Sequence, residues 1–461
     1  MHSCFPRYSR DCRCPSSRRR LQDFLHSRPT PSPVPPTFPD RWISSRCRRA
    51  QISGRHGFLI TLPNPGMFRT TCSSGITMTS RMKRRNCSTS ISTGGASMAK
   101  TNVAFFINDI TSSGGTERVT CMISNMLQET GDYNIVIISL NECGGNIKFP
   151  LNSRVQTTKI NETPKSGIYR FPTVCTRLAR LVRRYKIDVL IDVDGILDLY
   201  SVPVKLLTRV KFVSWEHFNF HQNPDVPYRK LSRQLAGMFS SAIVTLTDQD
   251  RQLYEENLKV RRARILTIPN PMSIHEPTVY DSGSKTIVSA GRLTYQKGFD
   301  MLVDVAAAVL PQHPDWTWLV LGEGEDHDKI TELTHAKGLD AQLKFPGRTS
   351  HLNTYFEKAA FFVMTSRFEG LPMVLLEAKA AQLPLVSFDC ETGPREIIEN
   401  GVNGFVIPCF DTASMIEHID KLIDSPSLRK EFSANSSLGN SKFSPDSIRD
   451  QWIELLRTII K

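Results

Sequence analysis

The chain has 461 residues, enough for two domains of ordinary size. Its formal net charge is +13, but residues 1–98 alone carry +14, residues 99–283 carry +5 and residues 284–461 carry −6. The chain after residue 98 therefore sums to −1, which excludes a nucleic-acid reading built on overall basicity. No run of eighteen apolar residues occurs, which argues against a membrane-spanning helix.

Residues 1–98 hold ten prolines, six cysteines, sixteen arginines and one lysine, with no sustained helical or strand period. They are expected to be a disordered extension, with Pro29–Pro39 extended and solvated. Two origins fit. One is translated upstream DNA ahead of a start at Met98, and the other is a Ser- and Arg-rich transit peptide. The other five cysteines (Cys121, Cys143, Cys175, Cys390, Cys409) are scattered without a CxxC pair, so a reducing cytoplasm is the expected compartment.

Val103–Ile107 reads as the first buried strand. Ser112-Ser113-Gly114-Gly115-Thr116-Glu117-Arg118 joins it to a helix over Glu117–Gln128. Gly114 and Gly115 let backbone approach a ligand, although the run lacks a full G-x-G-x-x-G. A tight turn capped by Ser113 or Thr116 is the plainer reading. A strand over Ile135–Leu140 follows. The helix around Thr176–Tyr185 then sets Arg177, Arg180, Arg183 and Arg184 beside Leu178, Leu181 and Val182. That face is either simply solvated or able to rest on anionic lipid.

Strands over Val189–Asp192, Lys211–Trp215 and Ala242–Leu246 complete the first alternation. Short apolar runs separated by helical stretches indicate a doubly wound parallel sheet. Asp192-Val193-Asp194 could clamp a divalent ion, but it falls in the unit opposite the basic loop described next, so it is read as cleft lining with no required metal. Glu216 and His217 follow a strand at its carboxyl end, where ligands of open α/β sheets bind. His217 is taken as a polar active-site contact, with Glu216 as its rival.

Ile268-Pro269-Asn270-Pro271 interrupts the pattern. A second alternation runs through strands over Thr286–Ala290, Trp318–Leu321, Leu343–Phe345, Phe361–Met364 and Leu385–Phe388. Gly291-Arg292-Leu293-Thr294-Tyr295-Gln296-Lys297-Gly298 follows its first strand. Arg292 and Lys297 can together hold a diphosphate, and a solvated basic loop is the alternative. Glu369-Gly370-Leu371-Pro372 opens a helix that carries Glu377, eight residues after Glu369. Pro372 suits the first helical turn, and the free N–H groups there favour a phosphate. Glu377 alone could be a helix-surface carboxylate. The last amphipathic run, Ser447–Ile460, could fold back across the hinge.

Gly291-Arg292 with Lys297, Gly322-Glu323-Gly324, Pro346-Gly347, the Glu369–Glu377 pair and the Pro-rich hinge together resemble the retaining glycosyltransferases of family 4 over roughly residues 101–461. Within that family the chain looks most like enzymes of bacterial capsule, exopolysaccharide or lipopolysaccharide assembly. The resemblance implies a GT-B fold, with two tandem Rossmann-like domains facing a cleft. The acceptor domain would span residues 99–271, the nucleotide-sugar domain 272–443, and a C-terminal helix over 444–461 would pack back towards the first domain.

It implies that Arg292 and Lys297 hold the donor diphosphate and that Glu369 contacts the sugar. Gly370 and Leu371 N–H groups would lie near the phosphates, Glu377 would take the ribose, and Gly347 and Arg348 would border the base. Gly291 carries the basic loop, and Gly114, Gly115 and Thr116 face the cleft. The implied activity is transfer of a hexose from a UDP- or GDP-linked donor to a glycan or lipid-linked glycan. No separate cofactor is implied. The site would be cytoplasmic, with peripheral contact on the inner membrane face. A nucleotide-sugar epimerase on the same fold and a non-catalytic sugar-nucleotide sensor are the rivals.

Overall fold

The structure, a computed structural model, describes residues 100–161, 170–222, 226, 228–273 and 280–461. The expected extension over residues 1–98 lies outside them. The first domain runs β1 (Thr101–Ile107), α1 (Gly115–Glu129), β2 (Tyr133–Ser139), β3 (Gln156–Lys159), α2 (Phe171–Arg184) and β4 (Val189–Val193). It continues through α3 (Asp198–Thr208), β5 (Lys211–Trp215), α4 (Arg229–Phe239), β6 (Ala242–Thr245), α5 (Asp248–Asn257) and β7 (Arg264–Thr267). The second domain runs β8 (Thr286–Ala290), α6 (Phe299–Val309), β9 (Thr317–Leu321), α7 (His327–Ala336), β10 (Leu343–Gly347) and α8 (Leu352–Phe356). Then come β11 (Phe361–Met364), α9 (Met373–Ala380), β12 (Leu385–Asp389), α10 (Pro394–Ile397), β13 (Gly404–Pro408), α11 (Thr412–Asp424), α12 (Pro426–Ala434) and α13 (Pro445–Ile460).

The first sheet has the order β3-β2-β1-β4-β5-β6-β7 and the second β10-β9-β8-β11-β12-β13, with every strand pair parallel. Each order reverses once, between β1 and β4 and between β8 and β11. Chain direction at such a switch point sends neighbouring loops to opposite faces and leaves a crevice at the strands' carboxyl ends. β1 and β4 are buried on both faces, as parallel strands covered by helices must be. α2 and α3 pack on one face of the first sheet against Ala104, Phe106, Leu190 and Phe212. α1 and α13 take the other, where Val103, Phe105 and Trp215 share one core with Trp452 and Leu455.

β3, β7 and β13 have no counterpart among the sequence-derived strands. Gln156-Thr157-Thr158-Lys159 is the outermost strand of its sheet and largely exposed, so it carries no apolar run to find. α1 begins two residues earlier than its charge pattern suggests, at Gly115. Neither Ser113 nor Thr116 caps it: Gly114 is the cap residue, with no side-chain hydrogen bond. Pro372 likewise precedes α9 as its cap residue and lies outside the first turn. α13 is well capped, by Ser444 Oγ accepting the Ser447 N–H at 3.2 Å, with Pro445 in its first turn.

Candidate functional site

The loops leaving β8 and β11 sit side by side because those strands are neighbours at the second switch point. They are stitched together. Arg367 donates to both Asp300 oxygens at 2.8 and 2.6 Å, and its guanidinium lies 4.2 Å from the Tyr295 ring centroid. Gln296 Nε2 donates to Phe368 O at 3.1 Å, and Thr365 Oγ1 to Gly298 O at 3.0 Å. This frame sets Lys297 Nζ 2.6 Å from Glu369 Oε1, with the carboxylate buried and the lysine partly so. The basic loop and the acidic turn, 72 residues apart, are therefore one site.

Gly322 and Gly324 let the β9 loop lie directly on the β8 loop. A Cβ on Gly322 would strike Gly291 O, and one on Gly324 would strike Leu293 O. Gly322 N–H donates to Gly347 O at 2.9 Å, and Gly347 takes a left-handed φ of 84°. The loops after β8, β9 and β10 thus form one rim carrying Gly291, Gly347 and the exposed Arg348. Arg292 is also exposed, and its positive charge reaches Glu117 of α1. Burial nonetheless leaves the Glu117 carboxyl above its ordinary pKa.

The first domain closes against this rim at several points. Gly370 abuts the His217 carbonyl so closely that a Cβ would clash. Asn219 Nδ2 and Thr392 Oγ1 both donate to Glu369 O, at 3.4 and 2.8 Å. Gly115 approaches Met373, with room for a Cβ at 3.6 Å from its Cγ, and Thr116 O accepts the Thr120 hydroxyl at 2.8 Å. Leu371 is buried in the shared core. Glu377 is no surface carboxylate: it is buried in the seam, where the Arg118 guanidinium of α1 donates to its Oε1.

His217 lies at the seam with its ring 4.5 Å from that of Trp215, which in turn meets Trp452 at 5.0 Å. Burial pushes its pKa down to about 4, so the imidazole is neutral at pH 7, and its Nε2 is buried without a hydrogen-bond partner among the described residues. Glu216 points the other way, into the first domain under Gly195, where a Cβ would collide with its carboxylate. Burial raises its pKa against the opposing charge of Arg233.

The Asp192-Val193-Asp194 carboxylates are separately committed. Asp192 accepts from Ser201 Oγ at 2.7 Å inside the domain, and burial pushes its pKa up to about 7. Asp194, at a positive φ of 84°, accepts from both terminal nitrogens of Arg229 at 2.7 and 3.1 Å.

Three contributors escape a sequence reading. Arg118 stands in the quoted glycine run, but only the fold shows that it crosses to Glu377. Asn219 and Thr392 hold the Glu369 carbonyl from loops far apart in sequence, and no local pattern marks them. The nearest sequence signal is an arginine one turn into a helix that opens on Gly-Gly at a strand's carboxyl end.

Residues 113–276 match the sequence family described as Glycosyltransferase Family 4, and residues 273–438 match Glycosyl transferases group 1. An uncharacterized glycosyltransferase of Haemophilus influenzae is 32% identical over 356 residues, covering 77% of this chain and 99% of the relative. The amylovoran biosynthesis glycosyltransferase AmsD of Erwinia amylovora is 28% identical over 359 residues, covering 76% and 98%. Among solved structures, a mutant of Staphylococcus aureus TarM in complex with fondaparinux, alpha-GlcNAc-glycerol and UDP superposes with a TM-score of 0.65. It is 17% identical, covering 77% of this chain and 99% of that one, which establishes a shared GT-B fold. The chain belongs to the glycosyltransferases, pairing a Family 4 type first domain with a group 1 second domain.

Proposed function

We propose that the protein is a retaining glycosyltransferase of family 4, moving a hexose from a UDP- or GDP-linked donor to a glycan or lipid-linked glycan in surface polysaccharide biosynthesis. The observation that carries this reading is the Lys297–Glu369 pair at the second switch point, roofed by the His217 segment of the other domain. A donor diphosphate would take Lys297 and Arg292 as counter-charges, with the N–H groups of Gly370 and Leu371 beside it at the start of α9. Once Lys297 turns to phosphate, Glu369 is left to accept from sugar hydroxyls. Glu377 would receive the ribose, and Gly347 and Arg348 would border the base. Gly114, Gly115 and Thr116 would line the opposite wall. Neutral His217 can hydrogen-bond a sugar hydroxyl through Nε2.

The chemical step breaks the anomeric C–O bond to the diphosphate and forms one to the acceptor oxygen on the same face. The acceptor proton passes to the leaving phosphate oxygen. The protein's part is to exclude water and to stabilise the departing negative charge in a preorganised site. Lys297, Arg292 and a helix start already match that charge, and Asp192 and Asp194 are held by Ser201 and Arg229, so no metal is assigned a role. Supporting this reading, TarM was crystallised with UDP and alpha-GlcNAc-glycerol, and AmsD serves amylovoran biosynthesis. A nucleotide-sugar pool and the five free cysteines among the described residues fit a cytoplasmic site.

The test is to supply UDP- and GDP-hexoses with lipid-linked and free oligosaccharides and to follow product by mass spectrometry. Transfer that persists in chelator, with the anomeric configuration kept, is the expected result. Free epimer without transfer would make the protein an epimerase instead. Binding without turnover would make it a sensor.

A further inference from the structure

We propose that Arg233, buried in α4, is a positioning residue for sugar transfer: it holds residues 217–222 in the shape that grips the Glu369 turn of the second domain. The inner face of α4 carries Arg229, Ser232, Arg233, Ala236 and Gly237, so two arginines one turn apart stand where an apolar stripe is expected. Arg229 is committed to Asp194, and its guanidinium lies 5.6 Å from the Phe218 ring centroid. Arg233 takes the rest of the segment. Its Nη2 donates to Asn219 O at 2.9 Å, and its Nη1 donates to Phe220 O and, at 3.3 Å, to Gln222 O. Its Nε donates to the Tyr254 hydroxyl at 3.1 Å, and its guanidinium lies 5.3 Å from the Phe220 ring centroid. Asp250 Oδ1 accepts the Phe220 N–H at 2.7 Å from α5.

One planar fork therefore fixes the carbonyls of Asn219, Phe220 and Gln222. A guanidinium presents its donors at set angles, which neither an ammonium nor an apolar side chain can copy. Glu216, buried in the same domain, supplies the opposing charge. Burying such a pair costs solvation, and apolar packing would hold a loop without that cost. What the fork secures is the other side of the segment, where each hold on the second domain lies. Gly370 abuts the His217 carbonyl. Asn219 Nδ2 reaches Glu369 O, and its Oδ1 accepts the His221 N–H at 3.0 Å. His221 Nδ1 in turn lies 2.6 Å from Glu391 Oε1. Among the described residues Arg233 hydrogen-bonds none of the second domain, so it acts through these three. The proposal rests on reading Lys297 and Glu369 as the donor site, because the grip bears on transfer only if the sugar lies there.

The test compares four full-length proteins: wild type, Arg233→Lys, Arg233→Gln with Glu216→Gln, and Tyr254→Phe. The paired change removes the buried ion pair whole and strands no charge, which guards against loss of the fold. Tyr254→Phe takes away the one Arg233 partner outside the segment and is the stability control. Binding of UDP and GDP is measured by calorimetry, turnover by sugar transfer, and local opening by amide hydrogen exchange in peptides covering 217–222 and 366–371. Both Arg233 variants are expected to lose turnover on the order of 10²-fold, the cost of a small misplacement of the reacting groups. Their nucleotide affinity should stay within about two-fold of wild type, because the second domain supplies that site. Exchange should quicken in both peptides. Tyr254→Phe should lower the melting temperature and keep both turnover and slow exchange. Near-native turnover in the Arg233 variants would overturn the proposal, as would an equal loss in Tyr254→Phe. A wild type that transfers no sugar would defeat the reading of the site instead. Exchange then decides: faster opening at 366–371 in the Arg233 variants upholds the grip on the Glu369 turn, and unchanged opening there overturns it.

Discussion

The Arg118 guanidinium, on the first helix of the first domain, grips the Glu377 carboxylate of the second, and its other terminal nitrogen donates to Ser273 Oγ at 2.6 Å. Three side chains from first domain, connection and second domain thus meet at one point. Burial raises the Glu377 pKa and Arg118 opposes that rise. Arg118→Ala would strand a buried carboxylate, which costs more than the pair contributes. We expect it to lower the urea midpoint, and Arg118→Ala with Glu377→Gln to recover most of the loss. Strictly additive effects in that double-mutant cycle would show that the contact carries no coupling.

Lys297→Ala and Arg292→Ala should each lower turnover by on the order of 10²-fold, the scale of one lost charge-stabilising group in a closed site. The two should differ in stability. Lys297 neutralises the buried Glu369, whereas Arg292 is exposed, so only Lys297→Ala should also lower the melting temperature. Near-native sugar transfer by both variants would remove the site from this loop.

Gly370→Ala tests the seam by sterics alone. The added methyl would meet the His217 carbonyl, a backbone atom that cannot swing aside. We expect the domains to be held apart, with turnover falling at least ten-fold while the far-ultraviolet circular dichroism is kept. The control is Gly338→Ala, on a surface turn where a Cβ meets nothing within 4 Å. That change should cost stability only through its positive φ of 68°. Equal activity of the two variants would argue against the close approach.

Two buried groups set opposite limits on pH. His217 has a pKa of about 4 against an ordinary 6.5, so between those values the unfolded chain binds a proton the folded chain refuses, and stability falls as pH falls. Asp250, pushed up by burial to about 8 from an ordinary 3.8, does the reverse: its contribution is whole below 3.8 and is lost as pH rises through 8. Each slope is at most about 1.4 kcal/mol per pH unit. Between pH 4 and 6.5 the slopes of these two groups cancel, and between pH 6.5 and 8 that of Asp250 is unopposed, so melting temperatures should fall over the second interval. Asp250→Asn should remove that fall and uncover the His217 loss below pH 6.5; an unchanged fall between pH 6.5 and 8 would mean that Asp250 is ionised in the fold.

The two-domain alternation was legible because parallel strands are buried on both faces and leave short apolar runs such as Val103–Ile107 and Phe361–Met364. Gln156–Lys159 and Arg264–Thr267 were not, because edge strands pair through backbone and need no apolar side chains. In the candidate site, Lys297 and Glu369 could be named because glycines and charges in strand-end loops are local signals. Their 2.6 Å contact and the Arg118–Glu377 bridge could not, since each depends on which strands become neighbours. Glu216 and His217 are adjacent in sequence and equally polar. Only the course of the chain just past β5, seen in the fold, sends one to the seam and the other beneath Gly195.

The chain passes between the domains twice, once after β7 and again before α13, and the Met272 N–H donates to Phe443 O at 2.9 Å where the passages run together. A single tether would leave the second domain free to swivel and slide. Two tethers bound to each other act as a pinned axle. α13 is seated on the first domain through the Trp215–Trp452 contact, so the second passage ends anchored to the same domain from which the first one starts. The same few residues that join the domains therefore tie them at two bonded points instead of one.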